Sequence, residues 1–264
     1  MLTLTSAELN TWIAAFLWPL TRIIGLISTS PLFGNASIPA QSKIVLSIFL
    51  TILIAPNVPA MPAMDPMSLA GLLILLQQLI IGLAMGFVMR IVFAAVEMAG
   101  EICGMTMGLG FATIFDPLSQ GHSSAISQFL SLMVLLIYLA TNLHLVLISS
   151  LAASFQTMPI LSAPLNGGGL HQLAGWSGRI FSAGVQLSLP IVAALLITNI
   201  ALGILTRAAP QLNIFGIGFP ITISVGFVMI AVTLPYMATP IGNLFQEAIN
   251  AIQQITTAML QKTE

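Results

Sequence analysis

Long apolar runs, separated by short polar or proline-rich breaks, make up most of the chain. A helix that crosses the hydrocarbon core of a membrane needs about 20 mostly apolar residues, and roughly six windows meet that requirement. They lie near 8–30, 42–56, 69–103, 125–155, 176–206 and 214–238. The third window is longer than a bilayer needs, which favours a tilted or protruding helix. The pattern predicts an all-α, multi-helix protein of the membrane type, with kinked and broken helical hairpins.

Two proline-containing stretches predict the long connectors. "PNVPAMPAMDP" at 56–66 cannot continue a helix on either side, and "PILSAPLNGGGL" at 159–170 is the second connector. Pro19 falls inside the first window, where the missing backbone donor predicts a kink. Thr5 and Glu8 have the spacing of a capping box, which predicts the start of that helix.

The end of the chain has the pattern of an amphipathic helix. Apolar residues repeat at three and four positions between Asn243 and Gln261, and Thr239 and Pro240 supply an N-cap and a first-turn proline. The opposite face is almost wholly neutral, whereas helices that lie on membranes usually carry Lys and Arg there. We therefore expect this helix to face a partner or to pack on its own chain.

Composition narrows the class of protein. Of the 264 residues, 58% are hydrophobic and 5% are charged, whereas a soluble domain carries roughly 25% charged residues to solvate its surface. The chain is therefore an integral membrane protein or a subunit whose apolar faces are buried in an assembly, and composition leaves both open. Six basic residues and a net charge of −1 exclude a nucleic-acid-binding surface. Cys103 is the single cysteine, so we expect no intramolecular disulfide and no thiolate metal site. We also expect no cofactor.

The stretch "GMTMGLGFATIFDPLSQGHSS", residues 104–124, interrupts the apolar pattern. Its glycines and Pro117 favour a loop or a broken helix. Irregular backbone at membrane depth is tolerated only where protein surrounds it or water lines it. We therefore expect the segment to face a cavity or channel, which Phe111, Ile114 and Phe115 could close by excluding water. An interfacial turn with its phenylalanines toward lipid is the alternative that composition leaves open.

Three ionisable residues share one helical stripe in the third window. Arg90, Glu97 and Glu101 are spaced by seven and four residues. Ionisable groups at membrane depth are costly unless they are paired or hydrated, so they are functional candidates. An interhelical salt bridge that fixes packing is the structural alternative. A proton relay of the secondary-transporter kind needs more such groups than the other windows contain.

The residue pattern argues against catalysis. Asp116, His122 and Ser123 are the residue types of a hydrolase triad, but the sequence has no glycine-flanked nucleophile motif such as G-x-S-x-G. The three histidines are too scattered to indicate a metal site. We expect a protein that is not an enzyme.

Three stretches carry a resemblance to a known family. "RIIGLISTSPLFGNASIP" at 22–39, "EMAGEICGMTMGLGFATIFDP" at 97–117 and "RAAPQLNIFGIGFPITI" at 207–223 resemble the FliR-type export-gate proteins of type III secretion. The third stretch is the most specific, because Ala-Pro-Gln-Leu-Asn-Ile-Phe followed by Ile-Gly-Phe-Pro rarely arises from a generic apolar composition. The resemblance spans essentially the whole chain.

The resemblance implies a function, a location and partners. Family members are non-enzymatic subunits of a helical pore complex in the bacterial inner membrane, at the flagellar basal body. FliP-type and FliQ-type proteins form the gate with them, beside FlhB-type and FlhA-type components, and unfolded rod, hook and filament proteins pass through it. The family pattern also implies a FliP-like part at 1–175 and a FliQ-like hairpin with the C-terminal helix at 176–264. An injectisome gate and, from another class, a stand-alone secondary transporter remain the alternatives.

The resemblance also assigns roles to residues. The segment 104–124 contains a pore plug at 108–117, which corresponds to Gly108, Gly110, Phe111, Ile114, Phe115, Asp116 and Pro117. The charged stripe Arg90, Glu97 and Glu101 is expected to brace the base of that plug. The inter-helix loop motif comprises Arg207, Pro210, Gln211, Asn213, Phe215, Gly218 and Pro220.

Overall fold

The computed structural model describes residues 6–59, 61–62, 64–111, 124–160, 165–211 and 214–260. Those residues form eight α-helices and two short 3-10 turns. The helices are α1 (Ser6–Thr29), α2 (Ala40–Ile54), α3 (Leu69–Thr106), α4 (Ala125–Ala140), α5 (Leu143–Thr157), α6 (Gly167–Ser177), α7 (Arg179–Ala208) and α8 (Ile214–Leu260). The predicted all-α fold is confirmed.

The predicted spanning windows correspond to real helices. Within the described residues, five helices are long and apolar enough to cross a membrane, or six if the bent pair α4 and α5 is one span. Helix α3 has 38 residues, as the long third window predicted. Its start is fixed by Ser68, whose hydroxyl accepts a hydrogen bond from the backbone N–H of Gly71 at 3.1 Å.

The fourth predicted window is two helices rather than one. The chain breaks at Thr141 and Asn142, and Asn142 adopts the left-handed conformation with φ 56°. Asparagine is among the few residues that tolerate this region of backbone space. The apolar pattern of 125–155 therefore gave no sign of the break between α4 and α5, which the left-handed conformation of Asn142 makes possible.

The second predicted connector is shorter than 159–170. Helix α6 already begins at Gly167, so the three glycines are helical. Gly169 is buried, and an alanine there would place its Cβ 2.7 Å from the carbonyl oxygen of Ile255. Close packing against α8 therefore stabilises a helix that three glycines would not favour alone.

The capping pattern predicted that the C-terminal helix begins at Pro240. In the structure this part of the chain continues a longer helix. Helix α8 runs unbroken from Ile214 to Leu260, with Pro220, Pro235 and Pro240 inside it. Each proline removes one backbone donor, and the helix continues through all three. The apolar face of residues 241–259 is buried while Asn243, Gln246, Asn250 and Gln253 are exposed, so this part of α8 packs on its own chain.

The chain divides into two compact units. Unit 1 contains the residues up to Arg90, Asn142–Ser177 and those from Phe245 onward, and unit 2 contains Ile91–Thr141 and Gly178–Leu244. The predicted division between 1–175 and 176–264 is a different one, because it rests on resemblance to FliP-type and FliQ-type subunits and not on compactness. It stays a prediction.

Unit 1 is built on a close crossing of α1 and α3. An alanine at Gly25 would place its Cβ 2.8 Å from the carbonyl oxygen of Leu79, and one at Gly82 would collide with the carbonyl oxygen of Arg22. Gly82 and Gly86 have the small-xxx-small spacing that lets helix backbones approach in membranes. The Thr29 hydroxyl reaches across the crossing to the carbonyl oxygen of Leu83 at 3.3 Å.

Unit 2 packs α4 and α7 on the second half of α3. The ring of Phe93 meets that of Tyr138 edge to face, with centroids 5.6 Å apart. Gly184 of α7 packs closely on α3, because an alanine Cβ at this position would lie 3.1 Å from the carbonyl oxygen of Ala95. This unit contains both ends of the segment that the sequence singled out as a plug.

Candidate site at the end of helix α3

Helix α3 ends at Thr106, two residues later than the glycine at which the sequence predicted a break. Gly104 is helical and faces Ser124, whose hydroxyl oxygen would lie 2.9 Å from an alanine Cβ at this position. The departure comes at Gly108, which has φ 90°. Only glycine adopts this conformation without strain, so the direction in which the chain leaves α3 depends on that residue.

Helix α8 holds the first end of the segment. The Thr222 hydroxyl lies 3.1 Å from the carbonyl oxygen of Met107 and 3.1 Å from that of Phe219. Met107 is fully buried, and an alanine Cβ at Gly226 would lie 2.5 to 2.7 Å from its side chain. At Gly108, a Cβ would lie 2.8 Å from the ring of Phe219. We name Phe219, Thr222 and Gly226 the Met107 seat.

Glu101 holds the second end. Its carboxylate accepts a hydrogen bond from the backbone N–H of Ser124 at 2.7 Å. Ser124 is the N-cap of α4, and its hydroxyl accepts from the backbone N–H of Ser127 at 3.2 Å. A carboxylate at a helix N-terminus also interacts favourably with the helix dipole. Glu101 therefore fixes the point at which the chain rejoins the helical bundle.

The two ends are neighbours in space. The Ser124 hydroxyl lies 3.5 Å from the carbonyl oxygen of Gly100 and packs against Gly104, and Met107 lies about one helical turn beyond Gly104. One turn of helix corresponds to about 5 Å along the axis. Met107 and Ser124, which flank residues 108–123, therefore lie at the same end of α3, the first held by a buried seat and the second by a carboxylate.

The structure covers only part of the predicted plug. Gly108 and Gly110 are among the described residues, and Phe111 is the last residue of the 3-10 turn Leu109–Phe111. Gly110 is exposed, and an alanine Cβ there would meet nothing within 4 Å. The remaining plug candidates Ile114, Phe115, Asp116 and Pro117, with His122 and Ser123 of the triad considered above, lie outside the described residues.

The charged stripe separates into two environments. Glu101 is half-buried and bonded to Ser124, whereas Arg90 and Glu97 are exposed. Glu97 takes part through its main chain, because its carbonyl oxygen accepts from the Ser127 hydroxyl at 2.9 Å. The bracing role of the three side chains stays a prediction.

The inter-helix motif spans the turn from α7 to α8. Arg207 is exposed in the last turn of α7, where a cation interacts favourably with the helix dipole. Pro210 and Gln211 form the exposed turn, Gly218 is buried, and Pro220 is exposed inside α8. Asn213 lies outside the described residues, as does the side chain of Phe215.

Sequence reasoning missed the residues that hold the segment in place. Thr222 and Gly226 are distant from Met107 in sequence, and neither stands out in an apolar stretch. Their spacing with Phe219, three and four residues, does place all three on one helical stripe. The signal available was this stripe of one aromatic and two small residues at helical spacing.

Comparison with known proteins covers nearly the whole chain. The family described as bacterial export proteins, family 1, matches residues 13–248. The flagellar biosynthetic protein FliR of Pectobacterium carotovorum subsp. carotovorum is 40% identical over 259 residues, 98% of this chain and 99% of that protein. FliR of Escherichia coli (strain K12) has the same identity and coverage. FliR of Bacillus subtilis (strain 168) is 31% identical over 244 residues, 91% of this chain and 94% of that protein.

Proposed function

The chain belongs to the bacterial export proteins, family 1, and we propose that it is a subunit of the flagellar type III protein export gate. The observation that carries this proposal is the 40% identity to two flagellar biosynthetic proteins over 98% of the chain. The subunit acts without catalysis. With FliP-type and FliQ-type subunits, and beside FlhB-type and FlhA-type components, it forms the channel through which unfolded rod, hook and filament proteins leave the cell.

The exposed apolar helices support a location among such neighbours. Only 11% of the most apolar window in residues 167–208 is buried within this chain, and 22% of that in residues 216–260. Exposed apolar faces on long helices mark contacts with lipid or with other subunits. Assembly with the two other gate proteins in the bacterial inner membrane, at the flagellar basal body, would cover these faces.

The plug proposal concerns residues 108–117. Phe111, Ile114 and Phe115 would narrow the resting channel with apolar side chains, and hydrophobic constrictions stop ions by excluding water. The anchoring of both ends supports this role, because a plug must have a defined base. Gly108 sets the angle at which the plug departs, and an alanine Cβ at Gly110 would meet nothing within 4 Å.

Secretion of flagellar proteins tests the gate proposal. We expect a strain that lacks this gene to synthesise flagellin and hook protein at the wild-type level but to release neither into the medium. Restoring the gene should restore release, and a copy truncated before α7 should not. Unchanged release in the deletion strain, with normal synthesis, would contradict the proposal.

Two other functions predict different results. An injectisome subunit would leave flagellin release intact and abolish release of effector proteins, but the relatives reported above are named for flagellar biosynthesis. A secondary transporter would be stable alone in mild detergent and would bind a small solute. A native complex of one or two chains that binds such a solute would favour the transporter.

A further inference from the structure

Helix α8 contacts the base of the proposed plug through a stripe that the gate proposal does not use. Phe219, Thr222 and Gly226 are spaced by three and four residues and therefore share one helical face. That face receives Met107, the last residue before the plug, and Gly108, the first residue of the plug. We propose that the Met107 seat positions the plug, so that closure of the channel depends on α8 as well as on the plug. The inference rests on the proposed plug function.

The hydrogen bond from Thr222 satisfies a carbonyl group that the helix itself cannot. Met107 follows the last residue of α3, where main-chain carbonyls have no partner in the next turn. Thr222 is 6% exposed, so water cannot readily replace its hydroxyl. The bond therefore fixes the backbone at the residue from which the plug departs.

The absence of a side chain at position 226 gives the Met107 side chain its place. Gly226 is buried, and Met107 is fully buried against it. Because a Cβ at 226 would lie 2.5 Å from the Cγ of Met107, a methyl group there must displace the methionine near its root. The flexible end of the side chain cannot relieve that contact. The Met107 side chain therefore occupies its position only if residue 226 has no side chain.

The seat also limits the path of the chain after Met107. Gly108 takes φ 90° next to the ring of Phe219, whose Cδ1 and Cε1 atoms would lie 2.8 Å from a Cβ at this position. The segment thus starts between the carbonyl group of Met107, which Thr222 holds, and the ring of Phe219. At its other end, the Glu101 carboxylate holds Ser124 to the same helix α3. Within the described residues, the contacts between the segment and α8 lie at its first end.

Ion conductance of the assembled gate tests the hydrogen bond. The complex is purified with its partner subunits and reconstituted in planar bilayers, and resting conductance is expressed per assembled complex. Thr222→Val keeps the shape and removes the hydroxyl, so we expect resting conductance to rise by about fivefold, the shift that loss of one net hydrogen bond produces in an equilibrium. Thr222→Ser keeps the hydroxyl and should remain near the wild-type value.

A size exchange tests the packing. Gly226→Ala and Met107→Ala should each raise resting conductance, the first by displacing Met107 and the second by emptying its place. The double variant should leak less than either single variant, because the added methyl group occupies part of the vacated space. Such coupling is expected only for residues in contact.

The outcomes separate the seat from the plug. Phe111→Ala with Phe115→Ala serves as the reference in the same bilayers. If this reference leaks while Thr222→Val and Gly226→Ala stay closed, the seat inference is wrong and the plug stands. If the reference does not leak, the plug proposal fails and the seat inference fails with it. Equal leak in Thr222→Val and Thr222→Ser, or additive effects in the size exchange, would also overturn the seat.

Discussion

Two nitrogens of Arg22, Nε and Nη2, donate to a single acceptor, the Oε1 atom of Gln78. Nη1 donates to the carbonyl oxygen and hydroxyl of Ser154, and Nη2 also reaches the carbonyl oxygen of Met158 at 3.0 Å. The guanidinium carbon lies 4.3 Å from the ring centroid of Phe155. A fully buried cation therefore joins α1, α3 and the C-terminal end of α5 within unit 1.

Replacing Arg22 by lysine should weaken unit 1. Lysine keeps the charge, but its single ammonium group cannot reach the acceptors that the planar guanidinium spans. We expect a loss of about 3 kcal/mol in unfolding free energy, because hydrogen bonds to a buried charged group are broken. The measurement is the apparent melting temperature of the chain in detergent. Arg90→Lys, the same change at an exposed position, is the control, and equal shifts in both variants would contradict the assigned role of Arg22.

The α1–α3 crossing should not tolerate alanine at Gly82. The added methyl group would meet the main chain of Arg22 and Leu26, which cannot move aside as a flexible side chain can. We expect destabilisation of about 1 to 3 kcal/mol, the usual range for overpacking. Gly203→Ala provides the control, since this helical glycine has open surroundings and alanine there should be neutral or stabilising. The prediction fails if denaturant unfolding in mixed micelles ranks Gly82→Ala at or above Gly203→Ala in stability.

The Glu101 carboxylate should hold the second end of the plug segment. Glu101→Ala leaves the backbone N–H of Ser124 without its acceptor, and we expect a higher resting conductance of assembled gates. Glu101→Gln retains an oxygen that can accept the same bond, so it should leak less than the alanine variant. Identical conductance in the two variants would show that the hydrogen bond to Ser124 is not what holds this end.

The two exposed members of the charged stripe should matter for assembly rather than folding. Arg90 and Glu97 are exposed in the isolated chain, so replacing either with alanine leaves no charge buried there. We expect the melting temperature of the isolated chain to change by less than the equivalent of about 0.5 kcal/mol, as for most surface substitutions. The yield of complex with FliP-type and FliQ-type subunits should fall in both variants. Wild-type yields would contradict the brace proposal.

The sequence predicted the features that depend on local pattern. The length of α3, the apolar face of residues 241–259 and a departure from helix after the third window all follow from spacing and backbone preference, although the helix ends two residues later than predicted. Resemblance to a family added the function and the plug, which periodicity alone could not supply.

Features that depend on distant contacts could not be predicted. Gly167–Gly169 reads as a connector, but Gly169 packs against α8 and is helical. Arg22 reads as a charge near a window end, whereas its acceptors come from α3 and α5. Thr222 and Met107 lie 115 positions apart, so no local pattern relates them. Each of these outcomes is decided by packing between elements, which overrides local preference.

Resting conductance of the assembled gate, with and without the plug's phenylalanines, tests the central claim most directly. The complex carrying Phe111→Ala and Phe115→Ala should assemble with wild-type yield, because the substitutions lie outside the anchored ends of the segment. In planar bilayers the wild-type complex should be closed to small ions, and the double variant should conduct. A double variant that assembles fully and stays as closed as the wild type would contradict the assignment of residues 108–117 as the plug of the channel.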